Sequence, residues 1–296
     1  MSKRLFSIVF GLAVLAVIAG VGIGVLRATN NLGFGPTGDC TATVNGHTVE
    51  IDSDQAENAT LIASVAIRRG LPARATSIAL ATAMQESKLR NLGGGDRDSV
   101  GLFQQRPSQG WGTRAQLMDR VFATNAFFDA LVKINGYESM EITVAAQKVQ
   151  RSAYPSAYAA HEEDARALAS ALTGYSPAAF SCDLSGGAPS TDGVRTTGGL
   201  SGRASAVRSD LRTRFGALPI TRAGRSGTTL QVDVSRQADP STYGWAMAQY
   251  LAGNAGRLQI RTIDFAGHEW RAGRSGWQPA TASSAPSSRV RVEVFG

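Results

Sequence analysis

The sequence predicts a multi-domain protein: an N-terminal transmembrane helix, a mainly α domain, and a C-terminal α/β (α+β) domain. Three observations lead there. Residues Leu5 to Leu26 form one uncharged apolar run. Between Cys40 and Cys182, apolar residues recur with helical spacing. Beyond a stretch rich in Gly, Ser, Thr and Pro, short alternating strand patterns interleave with helical ones. At 296 residues the chain can hold two domains, each with its own core. The expected divisions are 1–28 (cytoplasmic tip and anchor), 29–52 (spacer and β-hairpin), 53–182 (helical domain), 183–203 (flexible linker) and 204–296 (metal-free α/β domain).

Lys3 and Arg4 precede the apolar run, whose 22 residues, at about 1.5 Å rise each, match the ~30 Å hydrocarbon core of a bilayer. The run is longer than the apolar region of a cleaved secretory signal, and Leu26-Arg27-Ala28 is a poor cleavage site. A retained signal anchor is therefore expected. Two basic residues before the run, against Arg27 alone directly after it, place the N-terminus in the cytoplasm and the body outside. The chain's two cysteines suit an exported body. A Cys40–Cys182 disulfide would tie both ends of the helical domain, an effect of roughly 5 kcal/mol for so long a loop in the chain-entropy model.

After a Gly-rich spacer, Thr41 to Ile51 alternates around Asn45-Gly46, the signature of a hairpin with a type I′ turn. A helix begins at Ser53 or Asp54 and stops at Gly70, ahead of Pro72; a second runs from Ala73 to Arg90 and meets the Gly93-Gly94-Gly95 break. Further helical periods cover 124–134, 141–151 and 155–172, and a structured loop of Gly, Asp, Gln and Pro fills 93–112. In the last domain, 205–215 and 242–254 read as helices, and 229–235, 257–264, 268–271 and 289–295 as strands. From Arg203 onward there are thirteen Arg and no Lys against six acidic residues, so the whole net charge of +7 lies there. An anionic polymer or lipid is the partner such a balance suits. Nucleic acid is not expected, because no aromatics interleave with the basic residues as they do in single-strand binders.

Cleaving a β-1,4 glycosidic bond takes an acid that keeps its proton near neutral pH, and burial at an apolar helix end favours that form. Glu86 closes the apolar run Ile78 to Met84. The stretch Gln85-Glu86-Ser87-Lys88-Leu89, followed by Ser99-Val100-Gly101-Leu102-Phe103-Gln104-Gln105, resembles the Glu-Ser…Gly-Leu-x-Gln pattern of lytic transglycosylases and goose-type lysozymes. The resemblance covers roughly 53–174. It implies a lysozyme-like fold, peptidoglycan glycan strands as partner, Glu86 as general acid and base, and no cofactor. The Gly101 turn would bring amides and glutamine side chains to the sugars through Ser99, Leu102, Gln104 and Gln105, with Trp111 offering a flat face to a pyranose ring.

A second carboxylate would favour lysozyme chemistry, and Asp96 and Asp98 stand at comparable spacing; the single-glutamate route gives a 1,6-anhydro product. The Ala-Tyr-Asn-Ala-Gly segment of such transglycosylases is replaced by Ala145-Ala146-Gln147-Lys148-Val149-Gln150. Gln147 and Gln150 remain to bind glycan, with Tyr154 and Tyr158 nearby, and a non-cleaving adaptor or a structural envelope component stays open.

The C-terminal region resembles a domain similar to zinc D-Ala-D-Ala peptidases, in Gly227 to Asp233, Trp245 to Asn254, His268-Glu269-Trp270, Gly276-Trp277 and Arg289 to Val292. Arginines occupy the last two histidine positions, and His47, His161 and His268 are scattered, so no metal is expected. Arg289 and Arg291 alternate on one face of the last strand, which reads as a solvated edge.

Overall fold

The computed structural model describes residues 39–151, 157–184, 199–280 and 286–296. The anchor expected over 1–28, most of the linker expected over 183–203, and Tyr154 lie outside the described residues. Among the described residues no helix is long and apolar enough to cross a membrane.

The first hairpin forms where the alternation placed it. Strands β1 (Asp39–Val44) and β2 (His47–Asp52) meet through Asn45 and Gly46, both at positive φ (52° and 83°), as a type I′ turn requires. A later strand, β3 (Phe180–Asp183), pairs with the other side of β1 to give the order β2-β1-β3. That register sets Cys40 opposite Cys182, and the two are disulfide-bonded.

Helix α1 (Ser53–Arg68) starts in a capping box between Asp52 and Gln55, and α2 (Ala73–Ser87) follows Pro72. Thr113 and Gln116 box the start of the short α3 (Arg114–Met118), and Asp119 caps α4 (Arg120–Leu131). Then come α5 (Ile142–Gln150), a 3₁₀ turn over Ala157–His161, and α6 (Glu162–Leu172). One apolar core joins these helices to the small sheet.

In the C-terminal region, α7 (Gly202–Phe215) precedes β4 (Ile220–Ala223) and β5 (Thr229–Asp233). Helices α8 (Pro240–Gly253) and α9 (Ala255–Leu258) follow. The chain ends in β6 (Ile260–Phe265), β7 (His268–Arg271), β8 (Trp277–Pro279) and β9 (Arg289–Val294). The six strands form one antiparallel sheet in the order β4-β5-β9-β6-β7-β8. The expectation of a solvated edge for the last strand is corrected: β9 is hydrogen-bonded on both sides, by β5 and β6. Its alternation buries Val290, Val292 and Val294, while Arg289 and Arg291 sit on the opposite face, across from Asp233 and Asp264.

Helix α8 is enclosed on every side: each residue from Gly244 to Gly253 is buried. Small residues allow the approach. A Cβ on Gly244 would stand 2.1 Å from the Phe265 ring of β6, and one on Gly253 would stand 2.7 Å from the Thr60 methyl of α1. The fully buried Gln249 completes the junction, its Oε1 accepting from the Phe180 amide at 2.7 Å. Its Nε2 donates to the carbonyls of Ala171 (2.7 Å) and Ser176 (3.3 Å). The indoles of Trp270 and Trp277 donate to the carbonyls of Cys182 and Phe180 (3.3 and 2.8 Å), so β3 is held by the larger sheet's side chains. The described residues thereby fall within one compact unit, Gly38–Gly296.

Gln249→Leu would fill the space and strand the Phe180 amide and the Ala171 carbonyl without partners. The expected loss is about 3 kcal/mol, since each buried orphan costs about 1–3 kcal/mol. Equilibrium urea unfolding of the variant beside wild type measures it; a change within 0.5 kcal/mol, about the size of a surface substitution, would show that the amide is dispensable.

Candidate active site at the end of helix α2

Glu86 stands half-buried in the last turn of α2. The helix stops at Ser87 rather than continuing to Arg90, because Lys88 and Leu89 both adopt the left-handed conformation (φ 53° and 57°). Their amides close the helix end on the carbonyls of Met84 and Ala83. Side chains other than Gly pay roughly 1–2 kcal/mol per residue for that backbone. Burial of Leu89 and two hydrogen bonds from α1 hold it in place: Gln55 Nε2 donates to the Lys88 carbonyl at 2.9 Å, and the buried Asn58 Nδ2 to that of Leu89 at 2.7 Å. Asn58 is itself fixed by Arg120, whose guanidinium donates to its Oδ1 at 2.8 Å.

Ser87 latches the following loop. Its Oγ donates to the Leu102 carbonyl at 2.7 Å and lies 2.9 Å from the Ala83 carbonyl. Gly101 has φ 81°, and a Cβ there would sit 2.4 Å from the Leu117 carbonyl oxygen, so the close approach of α3 demands glycine. Leu102 and Phe103 are fully buried, and Phe103 stacks on Phe127 with centroids 4.7 Å apart. Ser99 Oγ stands 2.8 Å from the Asp96 carbonyl and 3.0 Å from Gln104 Oε1, while Gln104 Nε2 donates to the Gly101 carbonyl at 3.2 Å. Gln105 is buried and donates to the Ala123 carbonyl at 3.3 Å. These residues build the loop beside Glu86, and their polar side chains are largely engaged within it.

Among the described residues, the side chain hydrogen-bonded to Glu86 is Tyr158. Fully buried in the 3₁₀ turn ahead of α6, its hydroxyl donates to Glu86 Oε1 at 2.7 Å. Gln85 and His161 meet at 3.1 Å across the same junction. The only sequence signal for this contact was an aromatic set close after the glutamine-bearing helix α5. Gln147 lies on α5 with Gln150, whose Nε2 donates to the Phe103 carbonyl at 2.7 Å. Trp111 is partly buried and lines a groove of about 710 Å³ with Gln109, Ile134, Lys148 and Gln150; Glu86 is not part of that lining.

The two candidate second carboxylates differ. Asp96 is exposed, its nearest cation Arg97 at 3.9 Å. Asp98 accepts from the Ser108 amide (2.8 Å), the Arg106 guanidinium (2.9 Å) and the Ser108 hydroxyl (2.9 Å). The backbone bond from Ser108, followed by the Arg106 bond, holds its pKa down at about 2. Asp98 is thus an ionised staple for the 98–108 loop.

The three histidines stay apart. His47 lies 2.8 Å from Asp164 and 3.3 Å from Glu163, His161 faces Gln85, and His268 packs edge-on against Trp245. Among the described residues no three His, Cys, Asp or Glu side chains gather as a metal site. No family model matches the chain, and no curated protein matches it in sequence.

Gly101→Ala is expected to destabilise the protein by about 2–4 kcal/mol, from a positive φ together with a backbone clash, read by thermal melting. Asp98 has a depressed folded-state pKa, so its stabilisation is present above the unfolded value near about pH 4 and fades as pH falls toward about 2. Wild type should therefore exceed Asp98→Asn in melting temperature at pH 6, with the gap closing between about pH 4 and 2. A gap independent of pH over that interval would assign the effect to something other than the charge.

Proposed function

We propose that this protein is a membrane-anchored, extracytoplasmic enzyme that cleaves peptidoglycan glycan strands through a lysozyme-like domain, with Glu86 as general acid and base. One observation carries the reading: a half-buried glutamate at a helix end, one of whose carboxyl oxygens is held at 2.7 Å by a buried phenol. With Oε1 held by Tyr158, Oε2 is the carboxyl oxygen left to meet a glycosidic oxygen. In the single-glutamate route Glu86 protonates the leaving glycosidic oxygen. The resulting carboxylate then takes the proton of the muramic acid 6-hydroxyl as that oxygen closes on the anomeric carbon, giving the anhydro end. The engagement of Asp98 with Arg106 and Ser108 favours this route over one with a second carboxylate. The charged tip and apolar run at the N-terminus and the Cys40–Cys182 disulfide support an extracytoplasmic body.

A second reading, a binder that does not cut, is favoured by a different observation. Helix α5 carries Ala145-Ala146-Gln147-Lys148-Val149-Gln150, without the Tyr-Asn pair of the transglycosylases that the motif resembles, and the Gln150 amide is engaged on the Phe103 carbonyl. Digestion of purified peptidoglycan with the full chain, read by mass spectrometry, separates the two. Anhydro-muropeptides are expected from wild type, reduced about 10²–10⁴-fold in Glu86→Gln, which has no acidic proton to give. Tyr158→Phe should lower the rate roughly tenfold or more by releasing the carboxyl. Reducing ends instead of anhydro ends would indicate water as nucleophile, and binding without product would establish the adaptor.

A further inference from the structure

A cleft far in sequence from Glu86 has the composition of an anion site. Arg68, the last residue of α1, faces Arg208 and Arg212 of α7 across an open cleft of about 560 Å³, whose lining is completed by Ser205, Ser209 and Thr213. Arg68 also donates to the Thr213 carbonyl, which fixes the two helices' approach at this point. No acidic residue lines the cleft. Among the described residues none of the three arginines has a carboxylate partner. The one acid on α7, Asp210, is committed elsewhere: it accepts from Tyr250 at 2.6 Å and from Arg257 at 3.0 Å.

Arg208 and Arg212 are four residues apart on one helix face, a spacing at which like charges repel. Complementing the helix dipole accounts for Arg212 and Arg214 in the last turn, but that effect fades within one turn and does not reach Arg208. Three forked guanidinium groups lining one open cleft match a tetrahedral phosphoryl oxyanion, while the Thr213 hydroxyl is taken by the Ser209 carbonyl at 3.0 Å. All of the chain's excess positive charge lies in the region that supplies two of the arginines.

We propose that this cleft binds a phosphoryl group, carried by an anionic phosphate polymer or by a phospholipid headgroup. The site stands independently of any chemistry at Glu86. The test uses the full chain in neutral detergent, titrated at low salt with inorganic phosphate and with a glycerol phosphate oligomer by calorimetry. Arg208→Gln/Arg212→Gln is compared with Arg225→Gln/Arg274→Gln, which removes the same charge from exposed positions elsewhere. The first pair should weaken binding at least tenfold and the second less than twofold. Equal weakening by both pairs, or no binding to wild type, overturns the site. Co-sedimentation with phosphatidylcholine vesicles, with and without phosphatidylglycerol, distinguishes the source. A phosphatidylglycerol-dependent gain lost only in Arg208→Gln/Arg212→Gln identifies the headgroup, and a defect confined to the oligomer identifies the polymer.

Discussion

The helical region and the larger sheet meet around the buried helix α8, and the side chain of Gln249 satisfies the backbone at that junction. A helix surrounded by protein has to be apolar all round or carry polar groups that find partners at once. Helix α8 does both. Alanine and glycine bring it against Phe265 on one side and Thr60 on another, and its one central amide satisfies the backbone of Phe180 and Ala171. The strand thereby fixed, β3, is also the partner of β1 and the carrier of Cys182. The disulfide, the small sheet and the larger sheet's Trp270 and Trp277 consequently meet around the same four residues.

Elements with strong local signals were legible before any tertiary contact was considered. Asn45-Gly46 set the first turn, the helical run ending at Gly70 marked α1 (its cap is Asp52 with Gln55, where Ser53 or Asp54 was expected), and the Val-rich alternation of β9 marked a strand. What escaped were pieces whose conformation comes from their neighbours. Strands β3, β4 and β8 have three or four residues each, too few to show a period, and exist because an adjacent strand offers its edge. The stretch expected as a strand from Arg257 instead begins with the turn of α9, because Asn254 binds both the α1 hydroxyl of Thr60 and the Arg257 guanidinium. Position within the sheet was equally hidden: the pattern of β9 showed one buried face, and two hydrogen-bonded edges leave no mark on side-chain alternation.

At the candidate site the motif was legible but the division of labour was not. Gly101, Ser99, Leu102 and Gln105 stood out as residues for a sugar; in the fold they make the loop itself, through a positive φ, two short hydrogen bonds and full burial. Asp98, a candidate partner acid, is neutralised by Arg106 nearby. Tyr158 lies 72 positions from Glu86, and only the packing of the 3₁₀ turn against α2 joins them. The left-handed Lys88 and Leu89 were invisible for a simpler reason: neither residue type prefers that conformation, so the usual glycine signal for a helix stop was absent.

That helix stop ties the site to the rest of the molecule. Helix α1 presents Asn58 to the Leu89 carbonyl, Glu57 to Arg120 and Arg257 (both 3.8 Å), and Thr60 to Asn254 at 2.9 Å. Burial pushes the pKa of Glu57 up, against the pull of Arg257 and Arg120, which marks a carboxylate inside the junction and not on a solvated face. Arg257 continues to Asp210, and Asp210 to Tyr250, so the chain of polar contacts runs from the turn behind Glu86 into the C-terminal region. A strained turn persists only where its surroundings over-determine it. Here those surroundings are one face of α1, and the opposite face of α1 is set by α8 and α9. The geometry of Glu86 is therefore a property of the whole Gly38–Gly296 unit, and the C-terminal region belongs to the construction of the site as much as α2 does.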